Sequence, residues 1–145
     1  MCYELILSTT SGDDLSQFND AGIRFEGSHP ERRSFSHLLY PHKWFIGSRT
    51  GCSCSFRHLY EPEHGFGVPE DWAPEEQTDI EATLKFIRLV RSLIAQGERV
   101  DCVDLWAGSD AVPGAPVRMD VDLSRVRNEE FRFFENYHFD FIPGK

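Results

Sequence analysis

The sequence predicts an α+β fold, a single and largely antiparallel sheet packed against one long helix and several short ones. Three observations carry this expectation. Short segments alternate apolar and polar residues with the period of a strand. One segment, residues 78–96, places its apolar residues at helical spacing instead. The predicted order (strand, helix, strand, hairpin, long helix, further strands) is that of an α+β domain rather than a strict alternation of strand and helix. A ferredoxin-like arrangement with C-terminal additions satisfies that order.

Along the chain, Tyr3, Leu5 and Leu7 alternate with Glu4, Ile6 and Ser8 as a first strand. Ser11-Gly12-Asp13-Asp14 is a turn that opens a short helix ending near Phe18. Ile23 to Glu26 is a second strand, and the polar run 27–35 is a loop. Lys43 to Ser48 and Cys52 to His58 form a predicted hairpin around Arg49-Thr50-Gly51. A long Pro- and Gly-containing connection follows, from Tyr60 to Gln77. Thr78-Asp79-Ile80-Glu81 has the pattern of a capping box, and Gly97 ends the helix it opens. On a helical projection, Ile80, Ala82, Leu84, Phe86, Ile87, Leu89, Val90, Leu93 and Ile94 share one wide apolar arc. Val100 to Trp106 is a buried strand, Val117 to Leu123 a strand with one wet face, and Tyr137, Phe139 and Phe141 alternate with His138, Asp140 and Ile142. No repeat or linker divides the chain, so residues 1–145 are expected to form one domain.

At 145 residues with 40% hydrophobic side chains, the chain has enough apolar surface to fold without disulfides or metals. No segment is apolar over the ~18 residues that a membrane span requires. The opening Met1-Cys2-Tyr3-Glu4 lacks a basic start and an extended apolar run, so it does not read as a signal peptide. These features predict a cytoplasmic protein whose Cys2, Cys52, Cys54 and Cys102 are reduced thiols or metal ligands. The net charge of −9 argues against binding nucleic acid. That charge is not spread evenly. Residues 58–84 hold eight carboxylates and no Lys or Arg, while the segments on either side are nearly neutral.

This acidic connection is the first candidate site. Phe66 and Trp72 are interspersed with Glu70, Asp71, Glu75 and Glu76. Aromatic anchors rimmed by one sign of charge suit a basic protein partner, so the sequence predicts a protein-interaction module of the inhibitor or immunity type. The second candidate is Gly51-Cys52-Ser53-Cys54-Ser55-Phe56-Arg57-His58. On a continuous strand, Cys52, Cys54 and His58 would share a face, and with His64 they supply four ligands of the kind zinc prefers. Against this, sulfurs two residues apart on a strand are about 7 Å apart and share an ion only where the strand bends.

A third candidate is Cys2. The opening Met1-Cys2 resembles that of enzymes that begin Met-Cys and use the cysteine as an N-terminal nucleophile. The resemblance implies a cysteine hydrolase with Cys2 as catalytic residue and its own amine as base. Tyr3 stands where those families often carry Gly. Phosphate-loop, dinucleotide-binding, HExxH and GxSxG patterns are absent from the sequence, and the overall expectation leans away from an enzyme.

Overall fold

The computed structural model describes residues 3–27, 37–48, 53–59, 65–67, 75–106 and 116–143. Its organising element is β1 (Tyr3–Thr9), which pairs antiparallel with β3 (His42–Ser48) on one side and β5 (Val100–Trp106) on the other. Beyond β3 lies β2 (Ile23–Gly27), also antiparallel. Beyond β5 lie β8 (Tyr137–Ile142), antiparallel to it, and then β6 (Val117–Asp122), parallel to β8. The six strands therefore run in the order β2-β3-β1-β5-β8-β6.

Within that order, the antiparallel run β2-β3-β1-β5 interleaves two crossovers, β1 to β2 and β3 to β5. Each pair is split by a strand of the other, which is the ferredoxin-like arrangement expected from the sequence. The first crossover carries only a 3-10 turn, Leu15–Phe18, capped by the Asp14 carboxylate, which accepts from the Ser16 amide. The second carries α1 (Gln77–Ala95). β8 and β6 are the C-terminal additions, and their parallel pairing makes the sheet mixed.

α1 matches the predicted helix almost residue for residue, with one correction at its start. The N-cap is Glu76, and Thr78 and Glu81 do not close a capping box. The entry is fixed one residue earlier, where the Glu75 carboxylate is held by Arg57 and Arg132. At the other end Gly97 takes a left-handed φ of 86°, while its amide and that of Glu98 return to the carbonyls of Ile94 and Leu93. Those paired bonds satisfy carbonyls the helix leaves open.

The predicted hairpin does not form. Residues 53–56 are turn and bend, and β4 (His58–Leu59) pairs in parallel with β7 (Phe133–Phe134) in a second, two-stranded sheet. Both long edges of β3 are already occupied by β1 and β2, so no place is left for a strand following it. Serine side chains tie the turn down instead. Ser53 Oγ accepts from the Leu5 amide at 2.9 Å and donates to the Ile46 carbonyl at 2.6 Å. The predicted turn at 49–51 and most of the 27–35 loop lie outside the described residues.

The sheet has two unlike faces. Leu5 and Leu7 of β1, Val100 and Cys102 of β5, and Phe139 and Phe141 of β8 meet α1 through Phe86, Val90 and Leu93. Phe131 and Phe133 complete this core, with Phe86 and Phe133 centred 5.0 Å apart and Phe131 and Phe133 crossed at 89°. Such edge-to-face pairs add about 0.5–1.5 kcal/mol each to what burial alone supplies. On the opposite face the described residues form a small apolar cluster, Ile6, Leu38, Phe45 and Val103, with Leu105 packed against it. Beside it, Ser8, Asp101, His138 and Asp140 are buried polar residues.

Candidate functional site

Strand register assembles the polar face in rows. Ser8, Asp101, Asp140 and Asp120 lie opposite one another across β1, β5, β8 and β6. In the next row Ile6, Val103, His138 and Arg118 do the same. Like charges directly opposed on a sheet repel one another, and Asp101 and Asp140 are both buried. Each is therefore expected to have its own compensation, and each does.

Asp101 is fully buried and saturated with donors. The Ser8 hydroxyl donates to Oδ1, while the Leu39 amide at 3.0 Å and His138 Nε2 at 2.6 Å share Oδ2. Ser8 Oγ in turn accepts from the Tyr40 amide at 3.0 Å. The order is serine–aspartate–histidine, with the carboxylate in the middle. This is not the nucleophile–base–acid order of a hydrolase triad, and Ser8 is itself fully buried.

Asp140 is held differently. The Tyr40 hydroxyl donates to Oδ1 at 3.0 Å, and Oδ2 receives Arg118 Nη2 at 3.3 Å and the ion-paired Arg99 at 3.6 Å. Arg99 also lies over the Tyr40 ring, 6.0 Å from its centre. Burial pushes the Tyr40 hydroxyl above its ordinary value, and the adjoining Asp140 carboxylate adds to that. Tyr40 therefore stays a hydrogen-bond donor.

A second buried polar system anchors the acidic connection. Arg57, almost wholly buried, grips Glu75 with two bonds, Nε to Oε1 at 2.7 Å and Nη2 to Oε2 at 2.9 Å. The same guanidinium donates to the carbonyls of Gly67 (2.6 Å), Glu129 (2.6 Å) and Phe131 (3.2 Å). Arg132 adds a bond to Glu75 at 3.3 Å. Burial opposes the Glu75 charge, but the hydrogen bonds and charge of Arg57 outweigh it and hold the carboxyl below its usual range. Phe66, between these anchors, stacks on Phe131 and Phe134 at 5.3 and 5.1 Å.

Next along the chain, His58 Nδ1 meets Asp104 Oδ2 at 2.8 Å and Nε2 meets the Ser53 carbonyl at 2.6 Å. A carbonyl only accepts, so Nε2 donates to Ser53, and where Asp104 is ionised Nδ1 donates as well and the ring is an imidazolium. Burial works against this charge, yet the Asp104 carboxylate and the Ser53 carbonyl raise His58 above its ordinary value. Asp104 is completely buried, and that burial pushes its carboxyl up against the pull of His58. Its Oδ1 has no hydrogen-bond partner.

The predicted site residues fall into three groups. Cys2, Cys52, His64, Glu70, Asp71 and Trp72 lie outside the described residues. Glu76 is exposed at the start of α1, whereas Phe66 and Glu75 face inward as parts of the core and the Arg57 clamp. Cys54 is half-buried in the 53–56 turn, so the continuous strand that was expected to align Cys52, Cys54 and His58 is absent from the described residues. A zinc ion on His58 would have to displace Asp104 or the Ser53 carbonyl. Among the described residues, no three His, Cys, Asp or Glu side chains converge on a point that could hold a metal.

The residues that sequence reasoning missed are Asp101, His138, Asp140, Tyr40 and Arg57. Asp101 and Asp104 interrupt the apolar run of β5, and a charge within a buried strand is the available signal, because it must be paired. No helix among the described residues is long and apolar enough to cross a membrane. Comparisons with protein-family models, with curated proteins and with solved structures find no match.

Proposed function

We propose that the chain is a protein-interaction module of the inhibitor or immunity type, meeting a basic partner through the acidic-aromatic connection 60–77. The observation that carries this reading is the clamp. One nitrogen of one guanidinium binds both the Gly67 carbonyl and the Glu75 carboxylate, which bracket residues 68–74. A loop with its two ends fixed at a common, buried point loses less entropy on binding than a freely hung one. Phe66 and Glu75 serve as the base of this loop. Glu70, Asp71 and Glu76 supply the negative charge, and Trp72 supplies the aromatic anchor.

The test compares the wild type with Glu70→Lys/Asp71→Lys and with Trp72→Ala as baits for basic proteins from cells of its source. Salt-sensitive capture of a specific partner by the wild type, lost in both variants at unchanged Tm, is the expected result. Recovery of the same partner by the charge-reversed bait contradicts the reading. Arg57→Met provides a second arm. It leaves Glu75 with Arg132 alone and removes the Arg57 donors from three carbonyls, so it is expected to cost about 3–5 kcal/mol of stability and to weaken capture as well.

A further inference from the structure

Among the described residues, the face of the sheet away from α1 carries more hydrogen-bond donors than it uses. Each guanidinium offers about five N–H groups. Among the described residues, the side chains of Arg99 and Arg118 make a single hydrogen bond, from Arg118 to Asp140, and one longer ion pair to the same oxygen. Arg99 Nε is buried with no partner at all. Asp140 is the reason the two cations stand together. It is buried and fixed by the Tyr40 hydroxyl, so it acts as a positioning residue for the pair.

His138 adds a third group. It lies directly opposite Arg118 in the strand register, with its side chain only 8% exposed. Asp101 takes Nε2, and Nδ1 has no partner among the described residues. Register sets this ring one strand from Arg118, and Nδ1 is a hydrogen-bonding atom on the face that carries the two guanidiniums.

We propose that Arg99, Arg118 and His138 Nδ1 form a binding site for the phosphate group of a small phosphorylated molecule. Guanidiniums recognise such a group through paired, charge-assisted bonds to its ionised oxygens. His138 Nδ1 adds a hydrogen bond to the same group, accepting from a P–OH or donating to an ionised oxygen. The net charge of −9 disfavours a polyanion and so selects a small ligand over nucleic acid. Asp120, exposed and next to Asp140 in the row, opposes an incoming anion and limits the affinity. The site shares no residue with the Arg57 clamp, so it stands apart from the interaction reading.

The experiment titrates inorganic phosphate into the isotope-labelled full chain, reading arginine Nε–H and histidine ring resonances. Acetate and a short single-stranded oligonucleotide, at matched ionic strength, form parallel arms. The expected result is a saturable response at Arg99, Arg118 and His138 with His58 unmoved. Arg118→Gln, at a side chain 57% exposed, is expected to fold normally and to bind roughly tenfold more weakly. Asp120→Asn is expected to tighten binding severalfold. Non-saturating shifts, or saturation unchanged in Arg118→Gln, would overturn the site. Acetate binding as tightly as phosphate would overturn the phosphate assignment, and tighter binding of the oligonucleotide would overturn the choice of a small ligand.

Discussion

Among the described residues two histidine–aspartate pairs occur, and they are built to opposite plans. His58 spends both ring nitrogens inside the protein, on Asp104 and on the Ser53 carbonyl, whereas Asp104 leaves one oxygen unpaired. In the other pair it is the carboxylate that is complete. Asp101 accepts from Ser8, Leu39 and His138, and the imidazole keeps one nitrogen over. The first pair fastens the 53–59 segment to β5 and has no nitrogen to offer a ligand. The second orients a ring for something else to meet. A buried histidine beside a buried aspartate is thus not in itself a functional signal, and which partner is saturated decides.

The contrast breaks most visibly on mutation. His58→Gln leaves Asp104 buried without its counter-charge, and a loss of about 3 kcal/mol or more in urea denaturation is expected. His138→Gln leaves Asp101 with the Ser8 and Leu39 donors, so about 1 kcal/mol is expected. Equal losses would mean that the two pairs do the same work. Thr78→Ala should change stability by less than about 0.5 kcal/mol, because Thr78 is not the cap of α1 and is exposed.

Acidity sharpens the comparison. A histidine raised in the folded state binds its proton more tightly there than in the unfolded chain. The stability His58 contributes is therefore fully present below the unfolded value of about 6.5 and is lost as pH climbs through the raised folded value. Glu75 runs the other way. Its carboxyl is depressed, so its contribution holds above the unfolded carboxylate range and fades as pH falls through the folded value. Denaturation midpoints across pH should show both limbs in the wild type. The limb at higher pH should be missing from His58→Gln, and its persistence there would assign it elsewhere.

Much of the fold was legible because periodicity reports burial. α1 and strands β1, β5, β6 and β8 each lie where their pattern of apolar residues puts them. The segment 52–58 misled because Cys, Ser and Phe alternate as they would on a strand, while both edges of β3, the strand it was to pair with, are taken by β1 and β2. β8 hid the most. Alternation of Phe139 and Phe141 with His138 and Asp140 reads as one dry face and one wet one, yet all four are buried. What covers His138 and Asp140 depends on pairing with β5 and on residues 37–40, more than thirty positions away in sequence. Arg57 was invisible for a related reason. Its partners come from Gly67, Glu75, Glu129 and Phe131, and no local pattern joins them.

The most direct test of the account is the nitrogen spectrum of the two imidazoles, assigned by His58→Gln and His138→Gln. A ring's tautomer is set by the bonds its nitrogens make. The account predicts that His58 carries protons on both nitrogens below its ordinary value of about 6.5, and that neutral His138 is the Nε2–H tautomer with a bare Nδ1. A His58 with one unprotonated nitrogen, or a neutral His138 protonated at Nδ1, would contradict it.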